Sequence, residues 1–202
     1  MAAFAGLGAF GKYVIAQGLD PLQVIFLRNF LCLMMLTPLL ALRGRSLLIS
    51  AKPKLYLARV GLAFVSMTSW FTALSLIPLA ELTAISFLAP LFATLFAVLY
   101  LGEVVRARRW TALIVGFIGA MIILRPGSSA VGIGQMLALF SALTNGVIGP
   151  LLKQMTNEDD ADKIVFLSNL YLTPISLVPA LFVWQWIPAA LWPPLLAMGA
   201  CA

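Results

Sequence analysis

The chain contains no histidine, and only seven of its 202 residues are acidic. Without histidine there can be no histidine metal ligand and no histidine general base, which is the commonest proton-transfer group in enzymes. The two cysteines, Cys32 and Cys201, both fall in apolar segments. We interpret them as small apolar packing residues, and the sequence therefore predicts no disulfide, no metal and no cofactor.

Charged residues are also scarce: they make up 10% of the chain, whereas 62% of it is hydrophobic. A soluble domain has roughly 45–50% apolar and about 25% charged residues. No soluble core could bury this much apolar surface, so the composition predicts an all-α integral membrane protein with several spans. The net charge of +6 does not indicate nucleic acid, because most basic residues lie in short loops between apolar runs. The predicted partner is the lipid bilayer.

Residues 78–110 contain the clearest membrane span. Pro78 and Glu81 are followed by about 20 mostly apolar residues, a length that fits one helix across a bilayer. Pro90 lies inside this run and is predicted to bend the helix. The other spans are predicted at residues 1–18, 22–42, 55–77, 110–124, 133–152 and 164–184, and an eighth begins near residue 186.

The distribution of basic residues predicts the orientation of these spans. Loops on one side hold nine basic residues, and loops on the other side hold only Arg125. Cationic loops resist translocation, so the N-terminus and the basic loops are predicted to be cytoplasmic. The nine residues are Arg43, Arg45, Lys52, Lys54, Arg106, Arg108, Arg109, Lys153 and Lys163.

Two stretches of the chain resemble each other at an offset of 140 residues. Phe26-Leu27-x-Asn29 in the second span aligns with Phe166-Leu167-x-Asn169 in the seventh. A shift of five spans reverses the orientation, so the copies would be inverted, as in many secondary transporters. Chance similarity between two leucine-rich helices is the alternative. The repeat predicts a first five-helix domain at 1–128 and a partial second one at 129–202, as in a piece of a ten-helix protein.

Three motifs resemble one family. They are ALSLIPLAELTAISFLAPLFATLFAVLYLGE at 73–103, RRW at 108–110 and GFIGAMIILRPG at 116–127. They are similar to the bacterial EamA-type members of the drug/metabolite transporter superfamily. The resemblance implies a helical bundle of two inverted five-helix repeats, with both termini cytoplasmic. It also implies transport of a small metabolite, in a range from amino acids and drugs to S-adenosylmethionine and riboflavin.

Three ionic side chains are predicted inside the membrane region: Lys12, Arg28 and Glu81. Lys12 and Arg28 lie on adjacent predicted helices, eight residues before and eight residues after Asp20, where the chain turns. At 1.5 Å per residue, both lie about 12 Å from this turn along the helix axes. We expect the three to form a substrate-binding cluster, because charges kept in lipid usually face a cavity or a partner. Alternatively, Glu81 complements a helix dipole and each cation snorkels outward. Arg59, close to Lys54, is predicted to be interfacial.

Four further residues are predicted to line the substrate site. Trp70 follows Ser66 and Ser69 in SMTSW, where an indole beside hydroxyls can floor a cavity, although plain helix packing is an alternative. Asn29, Asn145 and Asn169 are predicted to be buried amides, which either bind the substrate or form hydrogen bonds between helices. Ala112, Gly116 and Ala120 recur every four residues and are predicted to permit close helix packing.

The main hypothesis is a secondary transporter, a permease of the inner (plasma) membrane that carries a small polar or charged metabolite by alternating access. One alternative is a non-transporting membrane assembly subunit. Another is a membrane-embedded transferase, which the absence of histidine, of a nucleophile elbow and of a Walker loop disfavours. The sequence permits a homodimer without requiring one.

Overall fold

The computed structural model describes residues 2–44, 52–102, 107–124, 132–157 and 159–200. In these ranges the chain is helical, with no strand. The α-helices are α1 (Ala2–Ala16), α2 (Pro21–Arg43), α3 (Pro53–Leu76), α4 (Leu79–Ser86), α5 (Ala89–Leu101), α6 (Ala107–Leu124), α7 (Ile133–Thr156), α8 (Ala161–Phe182) and α9 (Trp192–Ala200), with a short 3-10 helix at Ala189–Leu191.

Within the described ranges, five segments are long and apolar enough to cross a membrane: Pro21–Pro38, Pro53–Leu76, Leu79–Tyr100, Ile133–Thr156 and Ala161–Phe182. Many large apolar side chains outside the core are exposed, among them Val115, Ile122 and Phe182. Exposed apolar surface on this scale suits lipid and not water. The prediction of an all-helical membrane protein with several spans is confirmed.

The predicted single helix after Pro78 is two helices in the structure. The α-helix α4 ends at Ser86 and α5 begins at Ala89, with Phe87 and Leu88 between them. Pro90 is at the start of α5, and proline has no N–H to donate to the carbonyl four residues earlier. The Leu88 N–H donates to Ile85 O at 2.9 Å, which tightens the end of α4. The proline therefore marks a break and not the predicted bend.

Two other helix ends follow from local chemistry. Asp20 precedes α2, and its carboxylate oxygen accepts a hydrogen bond from Leu22 N–H at 2.8 Å, while Pro21 occupies the first helical position. Gly102 ends α5 in the left-handed conformation, at φ 63° and ψ 25°, which glycine adopts without steric cost. The orientation prediction also depends on Arg45, Arg106 and Arg125, and these three residues lie outside the described ranges.

The chain divides into two compact units. The first contains residues 1–64 and 155–202, and the second contains residues 65–154. In the first unit α2 packs against α8 and α9, and α1 packs against α9. Tyr56, Met155, Ile164 and Leu167 form a buried apolar cluster in this unit.

The start of α2 lies beside the end of α8. The Gln23 side chain donates to Gln185 O at 2.8 Å, and the Gln185 N–H donates back to Gln23 Oε1 at 3.1 Å. Trp184 contacts Phe26 in the same region, with ring centroids 6.0 Å apart. Since α2 also packs along α8, the two helices run in opposite directions.

In the second unit, α3, α5 and α7 approach closely through small residues. A Cβ added at Gly146 of α7 would overlap Phe92 of α5 and lie 3.0 Å from Ala93 N. Ser66 of α3 and Ser141 of α7, both buried, each donate to the other's carbonyl oxygen, at 3.1 and 3.0 Å. The helix α6 packs against α4 and α5.

The glycine at 116 does not serve the close packing predicted for it. Gly116 is exposed, and no described atom lies within 4 Å of a Cβ added there. The close approach occurs at Gly146 and Gly149 of α7 instead. The side chains of Ala112 and Ala120 lie outside the described residues.

Candidate functional site

Lys12 and Arg28 lie on the two helices that flank the first turn, within the first unit. Lys12 is four residues before the end of α1, and Arg28 is seven residues after the start of α2; both are half-buried. A guanidinium stays ionised at any physiological pH, so α2 carries a permanent charge within an apolar span. The geometry keeps both cations at comparable distances from the turn.

Asn29 is the hydrogen-bond partner of the Arg28 guanidinium. Its side chain is completely buried, and its Oδ1 accepts a hydrogen bond from Arg28 Nη1 at 3.0 Å. The Nδ2 of the same amide is buried and has no hydrogen-bond partner in the described part of the chain. A buried donor without a partner costs about 1–3 kcal/mol, so this amide is poised to donate to a polar group that enters the site.

Glu81 belongs to the second unit, in the first turn of α4, as predicted. Its Oε1 accepts a hydrogen bond from Gln135 Nε2 of α7 at 2.9 Å. Gln135 in turn accepts from Gly132 N–H at 3.0 Å. The carboxylate is half-buried and held by an amide. The predicted cluster of Glu81 with Lys12 and Arg28 stays a prediction.

Trp70 is buried and hydrogen-bonded, but not to the hydroxyls expected from its neighbours in sequence. Its Nε1 donates to Ser86 Oγ of α4 at 3.2 Å. Ser66 is bonded to Ser141, and Ser69 donates to Val65 O of its own helix at 2.9 Å. Ser69 directly precedes Trp70 and therefore points in a different direction, whereas Ser66, one turn before Trp70, uses its hydroxyl to bond Ser141.

The other two predicted amides differ from Asn29. Asn145 is exposed on α7, so the prediction that this amide is buried is wrong. Asn169 is half-buried on α8, and its Nδ2 donates to Val165 O of the same helix at 3.0 Å. Neither is held as Asn29 is, and their role in binding stays a prediction.

The interfacial position expected for Arg59 stays a prediction, and the structure shows that its side chain contacts a neighbouring helix. It is half-buried in α3, and its Nη1 donates a hydrogen bond to Ser168 Oγ of α8. Its Nε is buried without a hydrogen-bond partner among the described residues. The repeat contains a signal for this contact. Ser168 directly precedes Asn169, as Arg28 directly precedes Asn29, so Ser168 lies at the repeat position where the first copy has an arginine.

Asp159, the acid that Tyr56 of α3 contacts, is already engaged. Tyr56, one helical turn before Arg59, donates from its hydroxyl to Asp159 Oδ2 at 3.0 Å. Lys163 forms an ion pair with Asp159 Oδ1 at 2.6 Å. Both carboxylate oxygens are thus occupied by groups other than Arg59. Among the described residues, no group of three or more acidic or cysteine side chains is arranged to hold a metal ion.

Comparison with known proteins places these features in a family context. The chain is 29% identical to an S-adenosylmethionine uptake transporter of Rickettsia bellii, over 86% of this chain and 59% of that protein. It is 31% identical to a riboflavin transporter of Vibrio cholerae, over 91% of this chain and 62% of that protein. It is 29% identical to a pseudopaline exporter of Pseudomonas aeruginosa, over 88% of this chain and 63% of that protein.

The chain therefore spans a little under two thirds of the length of these curated relatives. A solved crystal structure shares the fold with a TM-score of 0.70 at 20% identity, and the match covers 98% of this chain and 72% of that one. The family model for EamA-like transporters matches residues 1–125, which is more than half of the chain. On this match, the chain belongs to the EamA-like transporter family.

Proposed function

We propose that the protein is a secondary transporter, a permease that moves a small polar or charged metabolite across the bacterial inner membrane by alternating access. The observation that carries this proposal is the hydrogen bond between the half-buried Arg28 and the buried Asn29 inside an apolar span. A charge at the centre of a membrane helix costs roughly 2.5–3.5 kcal/mol on insertion scales. Such groups usually mark a substrate or ion pathway.

Inverted repeats at 1–128 and 129–202 would supply the two halves that alternating access requires. The antiparallel packing of α2 on α8 supports this arrangement, because these are the helices whose sequences resemble each other. The family match at residues 1–125 has nearly the extent of the first proposed repeat. In the proposed orientation the N-terminus is cytoplasmic, and a homodimer stays a prediction.

The relatives bear on the substrate and on the alternatives. All three named above are transporters, of S-adenosylmethionine, riboflavin and pseudopaline, which supports carriage of a small metabolite and disfavours an enzyme. The same finding disfavours a non-transporting assembly subunit. We propose that Lys12, Arg28, Asn29, Trp70, Glu81, Asn145 and Asn169 contribute to substrate binding.

The proposal is tested by uptake into proteoliposomes that contain the purified full chain. Labelled S-adenosylmethionine and riboflavin are supplied with and without a proton gradient, and protein-free liposomes provide the background. Time-dependent uptake that saturates with substrate concentration is expected for at least one compound of the panel. If folded protein gives no uptake or exchange above background for any of them, the proposed function is wrong.

A further inference from the structure

In the first unit, an arginine guanidinium lies at corresponding positions of α2 and α8, the two helices that resemble each other, although only Arg28 belongs to one of these helices. At the offset of 140 residues, Arg28-Asn29 of α2 corresponds to Ser168-Asn169 of α8. The second copy lacks the arginine, but Arg59 of α3 donates a hydrogen bond to Ser168. A cation is therefore present at both positions, from α2 itself in one case and from a neighbouring helix in the other.

Resting on the proposed function, we infer that the transporter holds an oxyanion group of its substrate at two sites in turn, one on each of these helices. The α2 site consists of Arg28 and Asn29. The α8 site consists of Arg59, Ser168 and Asn169. The substrate class is a small metabolite that carries a carboxylate or a phosphate.

The charge of Arg59 has no compensating acid in the described part of the structure. Its hydrogen-bond partner is the neutral hydroxyl of Ser168, whose own proton is donated to Ile164 O. Asp159 is held by Tyr56 and Lys163. A guanidinium in an apolar span that is matched only by a hydroxyl is completed by an anion, and arginine pairs with carboxylates and phosphates through two parallel N–H groups.

Unused donors are available at both sites. Among the residues that the structure describes, Arg59 Nε at the α8 site and Asn29 Nδ2 at the α2 site are buried without a hydrogen-bond partner. Both are N–H groups. In the two sites, only the Ser168 hydroxyl and the amide oxygens of the asparagines can accept a hydrogen bond. The sites therefore present donors to a ligand that accepts, and an oxyanion is the acceptor whose charge also balances that of Arg59.

The two sites lie equally far from the starts of α2 and α8, and these starts are at opposite ends of the antiparallel helix pair. Arg28 lies seven residues after the start of α2, and Ser168 lies seven residues after the start of α8. Because the start of α2 is beside Gln185 at the end of α8, the sites are separated by on the order of 15 Å along the helices, at ~1.5 Å per residue. One site is thus nearer each face of the membrane, as a carrier with two inverted halves requires.

Matched substrates test the ligand class. The full chain in proteoliposomes is given S-adenosylmethionine and its decarboxylated analogue, and riboflavin 5′-phosphate and riboflavin; the members of each pair differ only by a carboxylate or a phosphate. We expect one oxyanion compound to be taken up at least about tenfold faster than its matched analogue. The pair that shows the preference identifies carboxylate or phosphate. Equal or faster uptake of the analogues would leave transport intact and overturn the oxyanion assignment; no uptake of any compound would overturn both proposals.

Variants then test the two sites. Arg59→Gln and Arg28→Gln are each expected to bring the preference for the oxyanion close to unity, and Arg59→Lys is expected to restore part of it. Lys54→Gln provides the matched control, since Lys54 is an exposed cation on the same helix as Arg59. Thermal unfolding of each purified variant checks the fold. A preference that persists in folded Arg59→Gln would show that the α8 site does not hold the substrate.

Sidedness separates two sites from one shared site. KM is measured for the preferred compound in right-side-out spheroplasts and in inverted membrane vesicles. Arg28→Gln is expected to raise KM by about tenfold or more from one face and much less from the other, and Arg59→Gln is expected to do the reverse. Equal increases from both faces would indicate a single shared site and would contradict the two-site arrangement.

Discussion

Asn29 is the residue at which burial, charge and hydrogen bonding meet most closely. Its amide is completely buried and accepts from Arg28 Nη1 at 3.0 Å. Hydrogen bonds to charged groups contribute about 1.5–3 kcal/mol, so Asn29→Ala is expected to lower the free energy of unfolding by that order. Chemical unfolding of the purified protein in detergent measures this change.

Replacing the same amide by a carboxylate separates folding from binding. In Asn29→Asp the acceptor for Arg28 is kept, but the new negative charge neutralises the arginine. We expect the folded protein to persist and the KM for an oxyanion substrate to rise by about tenfold or more, since about 1.4 kcal/mol of binding is a factor of ten. The control is Gln17→Glu, which adds the same charge at an exposed position in the turn between α1 and α2. An unchanged KM in Asn29→Asp would exclude this amide from the binding site.

Glu81 allows a comparable test in the second unit. Its carboxylate accepts from Gln135 Nε2 at 2.9 Å, and the amide of Glu81→Gln can accept the same hydrogen bond. We therefore expect Glu81→Gln to reach the membrane in normal amounts and to lose uptake, because only the charge has been removed. Gln135→Leu is the counterpart, which keeps the charge and removes the partner. Normal uptake by Glu81→Gln would show that the acid only completes the start of α4.

At the scale of single residues, the sequence located polar groups better than it located their partners. Glu81 lies in the first turn of its helix, as its position three residues after Pro78 indicated. The partners of Trp70 and Arg59 were not predicted, because Ser86 and Ser168 lie on other helices, 16 and 109 residues away. The sequence pattern of a single helix predicts which of its faces is polar, but not which other helix packs against that face.

At the scale of helices, apolar length and turn residues predicted most boundaries. The span predicted at 22–42 is Pro21–Arg43, and the span predicted at 55–77 is Pro53–Leu76. The division between α4 and α5 was not predicted, since Pro90 could bend a helix or end it, and tertiary packing decides which. The break at Phe87 and Leu88 is therefore a result of the structure.

Close packing of α7 on α5 gives a prediction for whole helices. A Cβ at Gly146 would overlap Phe92 and lie 2.9 Å from the Phe92 carbonyl carbon, so the backbone of α5 would have to move. We expect Gly146→Ala to lower the free energy of unfolding by about 1–3 kcal/mol, the usual cost of overpacking. Thermal unfolding in detergent measures the loss.

Gly116 of α6 is the matched control for this change. A Cβ there meets no described atom within 4 Å, and alanine favours a helix over glycine by up to about 1 kcal/mol. Gly116→Ala is therefore expected to leave stability unchanged or slightly raised. Equal losses in both variants would contradict the close approach of α5 and α7.

At the scale of the whole molecule, the predicted orientation depends on the basic residues, several of which lie outside the described ranges. Cationic loops are retained in the cytoplasm, so the turn before Asp20 should face outward and the residues before Pro53 should face inward. Two exposed positions report on this: Gln17, between α1 and α2, and Lys52, just before α3.

Cysteine labelling in intact cells tests that orientation directly. After Cys32 and Cys201 are replaced by alanine, Gln17→Cys is expected to react with a membrane-impermeant maleimide added outside, and Lys52→Cys only after the membrane is permeabilised. The physical reason is the nine-to-one excess of basic residues on the loops that include Lys52. The reverse labelling pattern would place the N-terminus outside and would exchange the faces assigned to the α2 and α8 sites, whereas labelling of both positions from outside would contradict α2 as a spanning helix.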